Sequence, residues 1–119
     1  ALSRVDGFTA SDRVRFIEIN SDAPAGFGYA DRMTEGFARL PLVNAMAATD
    51  PLLAIGSIDA LVTNLRSHAR VASPRVAIVD LKTVRTRPDQ EILREEFARR
   101  GLDAILADIA RDTPLNAAA

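Results

Sequence analysis

Cysteine is absent from this chain of 119 residues, and so is tryptophan; there is one histidine and one lysine. Without cysteine there is no disulfide framework, no thiol nucleophile and no thiolate metal site. A single histidine, His68, leaves Ser3, Ser11, Ser21 and Ser57 without a plausible base, which argues against a Ser-His-Asp triad. It also argues against an imidazole metal site; a polar residue at a helix end is the plainer role for it. Charge of one sign is lacking too: 15 Lys+Arg stand against 16 Asp+Glu, for a net −1. A nucleic-acid grip needs clustered cations that displace counterions from phosphates, and this balance speaks against one. No apolar run reaches the ~18 residues of a membrane span, and no signal-peptide pattern opens the chain. These absences lead to the expectation of a cytoplasmic protein with no nucleic-acid or membrane partner.

What is present is enough apolar side chain for one domain, since 48% of residues are hydrophobic. A chain of this length hides roughly 65% of its unfolded surface on folding. Residues 2–9 and 13–20 read as two strands joined at Ala10-Ser11-Asp12. Strict alternation in the second places Val14, Phe16, Glu18 and Asn20 on one side and Arg13, Arg15, Ile17 and Ile19 on the other. Residues 30–40 read as a short helix with Met33, Phe37 and Leu40 on one stripe. Asp50-Pro51 reads as a helix start, followed by the stripe Leu53, Ile58, Leu61, Val62 and Leu65 and an end near Ser67.

The last third carries the strongest pattern. Val76-Ala-Ile-Val79 is a short apolar run of the kind buried on both faces of a parallel sheet. A helix is expected from about Pro88 to Arg100, with Ile92, Leu93 and Phe97 inward and Gly101 as its stop. Residues 103–108 then form a second strand, giving a βαβ unit. The expected class is α/β: a small parallel or mixed sheet with flanking helices and a β-hairpin at the N-terminus. Ligands in such sheets sit beyond the carboxyl ends of the strands, where Asp80, the loop from Lys82 to Arg87, and Asp108 belong. Asp80 is read as a loop or capping residue, and Arg85 and Arg87 as a solvated basic loop able to hold an anion. Residues 1–119 are read as a single domain with a frayed tail at 112–119.

Four polar residues share strand faces. Arg4 and Asp6 are two apart on the first strand, Glu18 and Asn20 two apart on the second. A register with Arg4 opposite Glu18 brings all four onto one surface; a slip of one residue separates the pairs. Two carboxylates and an amide oxygen form a hard-oxygen set suited to Mg²⁺, and an arginine beside them suits a phosphate or carboxylate. The plainer alternative is an Arg4–Glu18 ion pair on a solvated face, worth a few tenths to ~1 kcal/mol. Ala25-Gly-Phe-Gly28 lacks a Lys-Ser/Thr and a G-x-G-x-x-G pattern, so it reads as a tight turn or as a weak phosphate-loop signal.

Ala1-Leu-Ser-Arg-Val-Asp-Gly-Phe8 followed by Arg15-Phe-Ile-Glu-Ile-Asn-Ser-Asp-Ala-Pro-Ala-Gly-Phe-Gly-Tyr29 resembles a stretch of the ATP-grasp ligases with permuted order, the glutathionylspermidine synthase and eukaryotic-type glutathione synthetase group. Pro74 to Asp80 and Glu91 to Asp108 also resemble bacterial proteins of this type, so the resemblance covers about residues 1–108. It implies a pre-ATP-grasp or flavodoxin-like sheet and a reaction in which ATP phosphorylates a carboxylate and an amine displaces the phosphate. It further implies Glu18 and Asn20 as Mg²⁺ ligands, Asp6 as an additional metal ligand, and Arg4 as the arginine on the substrate carboxylate and acyl-phosphate. Loop serines of the family contact a peptide substrate; Ala23 and Ala25 stand there in this chain, so a glutathione-like substrate is not implied. The family's nucleotide-binding part uses several lysines, against the single Lys82 here. The expectation is therefore a domain that works with the remaining ATP-grasp part and with small-molecule acid and amine substrates. Mg²⁺ and ATP belong to the complete protein; alone, the domain is expected to be inactive, to bind neither tightly and to self-associate. The alternative, from a different class, is a non-catalytic α/β module that binds a small molecule or a partner chain.

Overall fold

Residues 3–21, 25–50 and 53–111 are described by a computed structural model. Two strands, β1 (Arg4–Thr9) and β2 (Val14–Asn20), form an antiparallel hairpin. Helices α1 (Phe27–Phe37), α2 (Pro41–Ala47) and α3 (Ser57–His68) follow, then β3 (Arg75–Asp80), α4 (Arg87–Arg99) and β4 (Asp103–Asp108). β3 and β4 pair in parallel, Arg75 beside Asp103 and Asp80 beside Asp108, so the βαβ unit and the α/β class are as expected. The tail expected at 112–119 lies outside the described residues. No helix among the described residues is long and apolar enough to cross a membrane.

The βαβ unit follows from local signals. Pro88 sits in the first turn of α4, where its missing N–H costs nothing. At the other end Gly101 adopts φ 76°, Gly101 N–H donates to Ala98 O at 3.0 Å and Leu102 N–H to Phe97 O at 2.9 Å. This bond pair is a Schellman motif, and its hydrophobic clasp is Phe97 against Leu102. Both are buried, and with Ile58 and Val62 of α3 they form the core, flanked by Leu61, Leu65, Val76, Ile78, Leu93 and Ala104. Each such fully buried side chain contributes on the order of 1.5–3 kcal/mol.

Several expectations need correction. The β3–β4 sheet is covered on one face only: Val76 and Ile78 face the core, while Val79 and Ile105 are about half exposed. No helix begins at Asp50. Its N–H donates to Met46 O behind α2, and α3 begins at Ser57. Pro51 itself lies outside the described residues. Leu53 is 87% exposed and does not join the α3 stripe. The Met33, Phe37 and Leu40 stripe also faces away from the core. The side of α1 that packs inward carries Gly28, Asp31 and Arg32 instead, because helix-to-helix contact here is built on polar side chains that cap neighbouring helices.

The hairpin packs little against the other elements. The Cα radius of gyration is 17.6 Å and the long axis 62 Å, against about 13.5 Å expected for the radius of a compact chain this long. A bulge between Asp6 and Gly7 pairs Gly7 with Phe16, Phe8 with Arg15 and Thr9 with Val14. It reverses the expected alternation below Ile17. Val14 and Phe16 join the parity of Val5 and Ile19, while Arg15 joins that of Asp6 and Glu18. One face of the hairpin is thereby apolar, with all four of these side chains exposed.

Candidate functional site

The polar face of the hairpin holds the four residues singled out in the sequence. Arg4 lies opposite Asn20 and Asp6 opposite Glu18. The expected Arg4–Glu18 pairing is therefore off by two residues, and since a two-residue shift keeps side-chain parity, all four still share one surface. Arg4 does not pair with Glu18 across the strands. It forks onto Asp6 within its own strand, Nε to Oδ1 at 3.0 Å and Nη2 to Oδ2 at 2.9 Å. Asn20 Nδ2 donates to Glu18 Oε1 at 2.5 Å and more weakly to Asp6 Oδ2 at 3.4 Å. One amide nitrogen thus spans both carboxylates. Asp6 raises the Arg4 guanidinium above its ordinary range, first through the hydrogen bond and then through charge, with a smaller contribution from Glu18.

This set has the composition of a hard-cation site. Among the described residues, Glu18 Oε2 and Asn20 Oδ1 accept no hydrogen bond, and Asp6 offers its oxygens only in exchange with Arg4 and Asn20. Three oxygen donors on one strand surface suit Mg²⁺, which keeps several waters. No group of three or more His, Asp or Glu able to hold a metal occurs among the described residues. A site here depends on the Asn20 amide oxygen.

Arg4 also reaches beyond the hairpin. Its Nη1 donates to Ala25 O at 3.1 Å, and Ala25 forms part of the wall of a 260 Å³ cleft with Asp80, Thr86, Gln90 and Leu93. In that cleft Gln90 Nε2 donates to Asp80 Oδ2 at 2.7 Å, while Leu81 N–H donates to Asp80 Oδ1 at 2.7 Å. Asp80 caps no helix among the described residues; it binds the first amide of the loop after β3 and the side chain of Gln90, consistent with the loop half of the loop-or-capping reading. Gln90 Oε1 is the buried side-chain atom without a partner among the described residues.

The glycine-rich loop is not a phosphate cradle. Its amides already face an anion, the carboxylate of Asp89, which accepts from Gly26 N–H at 2.8 Å and Tyr29 N–H at 2.9 Å. A Cβ on Gly28 would meet Asp89 O at 2.8 Å and Ile92 Cγ2 at 2.9 Å, so the second glycine serves helix packing. Ala23 lies outside the described residues. His68 ends α3 with Nδ1 against Asn64 O at 2.9 Å and Ser67 Oγ at 3.0 Å, a helix-end role.

Reading the sequence missed Asp31, Asp89, Glu96 and Arg111. Asp31 accepts from Ser57 N–H at 3.0 Å and Ile58 N–H at 3.1 Å, capping α3 from α1. Glu96 is buried and pairs with Arg32 at 3.1 Å, Arg100 at 2.5 Å and Arg99. Asp59 and then Glu96 raise the Arg100 guanidinium above its ordinary range, against the opposing effect of its burial. The chain matches no protein-family model, no curated protein and no solved structure.

Proposed function

We propose that this chain is part of an ATP-dependent carboxylate–amine ligase of the ATP-grasp type. In this reading it works in the cytoplasm and contributes its polar hairpin face to a site completed by the nucleotide-binding part. The observation that carries the reading is the hairpin register, which sets Asp6 against Glu18 and Arg4 against Asn20 on one surface. Glu18 and Asn20 would hold Mg²⁺, with Asp6 as a third oxygen donor once Arg4 turns to a ligand. Bound Mg²⁺ supplies neutralisation of charge on the phosphoryl group in transfer. Arg4 would take the substrate carboxylate, for which its guanidinium offers a bidentate fork. The Arg4 bond to Ala25 O links this surface to the 260 Å³ cleft, a place for part of the acid or amine. ATP belongs to the completed site; the chain alone is expected to be inactive.

Mn²⁺ as a paramagnetic stand-in for Mg²⁺ tests the reading. Amide resonances of Asp6, Glu18 and Asn20 should broaden selectively at millimolar or lower Mn²⁺, and Glu18→Gln should abolish the effect. Uniform or absent broadening would sink it.

A second reading is favoured by one observation: Arg4 and Asp6 satisfy each other with two well-formed hydrogen bonds. On that ground the module would be non-catalytic, its polar face a solvated ion-pair surface and its ligand or partner chain bound elsewhere. Absence of Mn²⁺ broadening is the outcome it requires.

A further inference from the structure

Beyond the carboxyl ends of β3 and β4 lies a cleft of 240 Å³ lined by Lys82, Arg87, Leu106, Asp108 and Arg111. It shares no residue with the hairpin set. The fold brings these groups together from three segments. Lys82 follows the end of β3 and Arg87 opens α4. Asp108 closes β4, and Arg111 stands just after it. This is where an open parallel sheet presents ligand sites, because successive loops diverge there and leave a crevice.

The charges in it are not balanced from within. Three cations and one carboxylate meet in a small volume, and the chain's one lysine is among them. Arg87 is held at 3.5 Å by Glu91, one turn along α4. The ion pairs among the described residues include neither Lys82 nor Arg111. Arg87 is also the first residue of α4, at the end of the helix where the backbone dipole is positive. The N-cap residue Thr86 makes no side-chain cap bond, and the acidic residue of the first turn, Asp89, is engaged by the amides of Gly26 and Tyr29. A cation at a helix N-terminus, with two more cations lining the same cleft against one carboxylate, leaves an excess of positive charge there. A dianion offsets that excess: phosphate carries about two charges at neutral pH and accepts hydrogen bonds on several oxygens.

We infer that this cleft binds a phosphate group, held by Lys82, Arg87 and Arg111 against the N-terminal end of α4. Its volume admits a phosphate with a small substituent; pockets that enclose larger organic ligands begin at about 300 Å³. The ligand is inorganic phosphate or the phosphate of a small monoester. The inference does not rest on the ligase reading.

Calorimetric titration of the chain with inorganic phosphate and with glycerol phosphate, at constant ionic strength, tests it. Saturable binding of phosphate should appear, absent for chloride. Lys82→Gln and Arg111→Gln should each weaken it about tenfold, the scale of one charge-assisted hydrogen bond. Arg75→Gln, at the opposite end of β3, should leave it unchanged. Tighter binding of the ester identifies a phosphorylated small molecule; equal or weaker binding identifies the free ion. Circular dichroism of each variant guards against unfolding, and both test side chains are exposed enough to replace. Phosphate affinity unaltered in the folded Lys82→Gln/Arg111→Gln double variant overturns the inference, as does no saturable binding.

Discussion

The carboxylate of Asp89, in the first turn of α4, is buried and caps the start of α1 sixty residues earlier in the chain, accepting from Gly26 and Tyr29 amides. Asp31 repeats the relationship one helix on, from α1 to Ser57 and Ile58 of α3. α1 and α3 therefore each receive their N-terminal anion from a neighbouring helix, and α1, α3 and α4 are tied together by the same bonds that satisfy those free N–H groups. Asp89→Ala leaves two part-buried donors unpaired. We expect a loss of about 2–4 kcal/mol, read by urea unfolding, more than the ~1 kcal/mol typical of a local cap. A loss below 0.5 kcal/mol on that scale would show that water replaces the cap without penalty.

Gly28 sits under that cap. Its missing Cβ is what lets α1 approach Asp89 and Ile92 of α4. Gly28→Ala places a methyl against a backbone carbonyl, which cannot swing aside as a side-chain end can. Overpacking of this kind costs about 1–3 kcal/mol. Gly36→Ala, on the same helix with open space around it, is the control and should be neutral or stabilising by up to ~1 kcal/mol. Thermal unfolding of the two variants should separate them by several degrees.

These two positions also show what the sequence could and could not reveal. The βαβ unit was legible because its signals are local: an apolar run, a proline in the first helical turn and a glycine at the helix end. The start of α3 was not, because its cap is Asp31, 26 residues upstream; the nearer Asp50-Pro51 offered a better local pattern, yet α3 begins at Ser57. In the hairpin, a period of two placed Arg4 with Asp6 and Glu18 with Asn20. The register was hidden, since a bulge at Ile17 leaves no compositional mark, and convergence survived because the true register differs by an even number. The α1 stripe misled for a different reason: three apolar residues at helical spacing show that a helix has an apolar side, not that a neighbour covers it.

Arg4 is expected to be a strap for the hairpin. It is half exposed, so solvent screens its pair with Asp6, and its loss should not lower global stability much. Its bond to Ala25 O crosses from hairpin to body. Arg4→Ala should accelerate amide exchange within β1 and β2 while leaving α3, α4, β3 and β4 protected. Equal acceleration throughout would show that the hairpin and body unfold as one unit.

The same weak attachment bears on association. Val5, Val14, Phe16 and Ile19 form an apolar hairpin face, and Val79 and Ile105 lie on the open side of the parallel sheet, all of them 48% or more exposed. Such contiguous surface is uncommon on a protein that stays monomeric, because removing it from water contributes about 25 cal/mol per Å². The hairpin face has the further property of being two strands wide with unpaired outer edges, which a second chain can extend. Sedimentation velocity from 10 to 500 µM should therefore show a rising weight-average mass. Phe16→Lys places a charge in the middle of the hairpin face and should return the chain toward the monomer, whereas Ile105→Lys tests the sheet face in the same way. If Phe16→Lys alone suppresses association, the hairpin is the contact; if Ile105→Lys alone does, the open sheet is. A constant monomer mass for the unaltered chain across that range would mean that neither face associates.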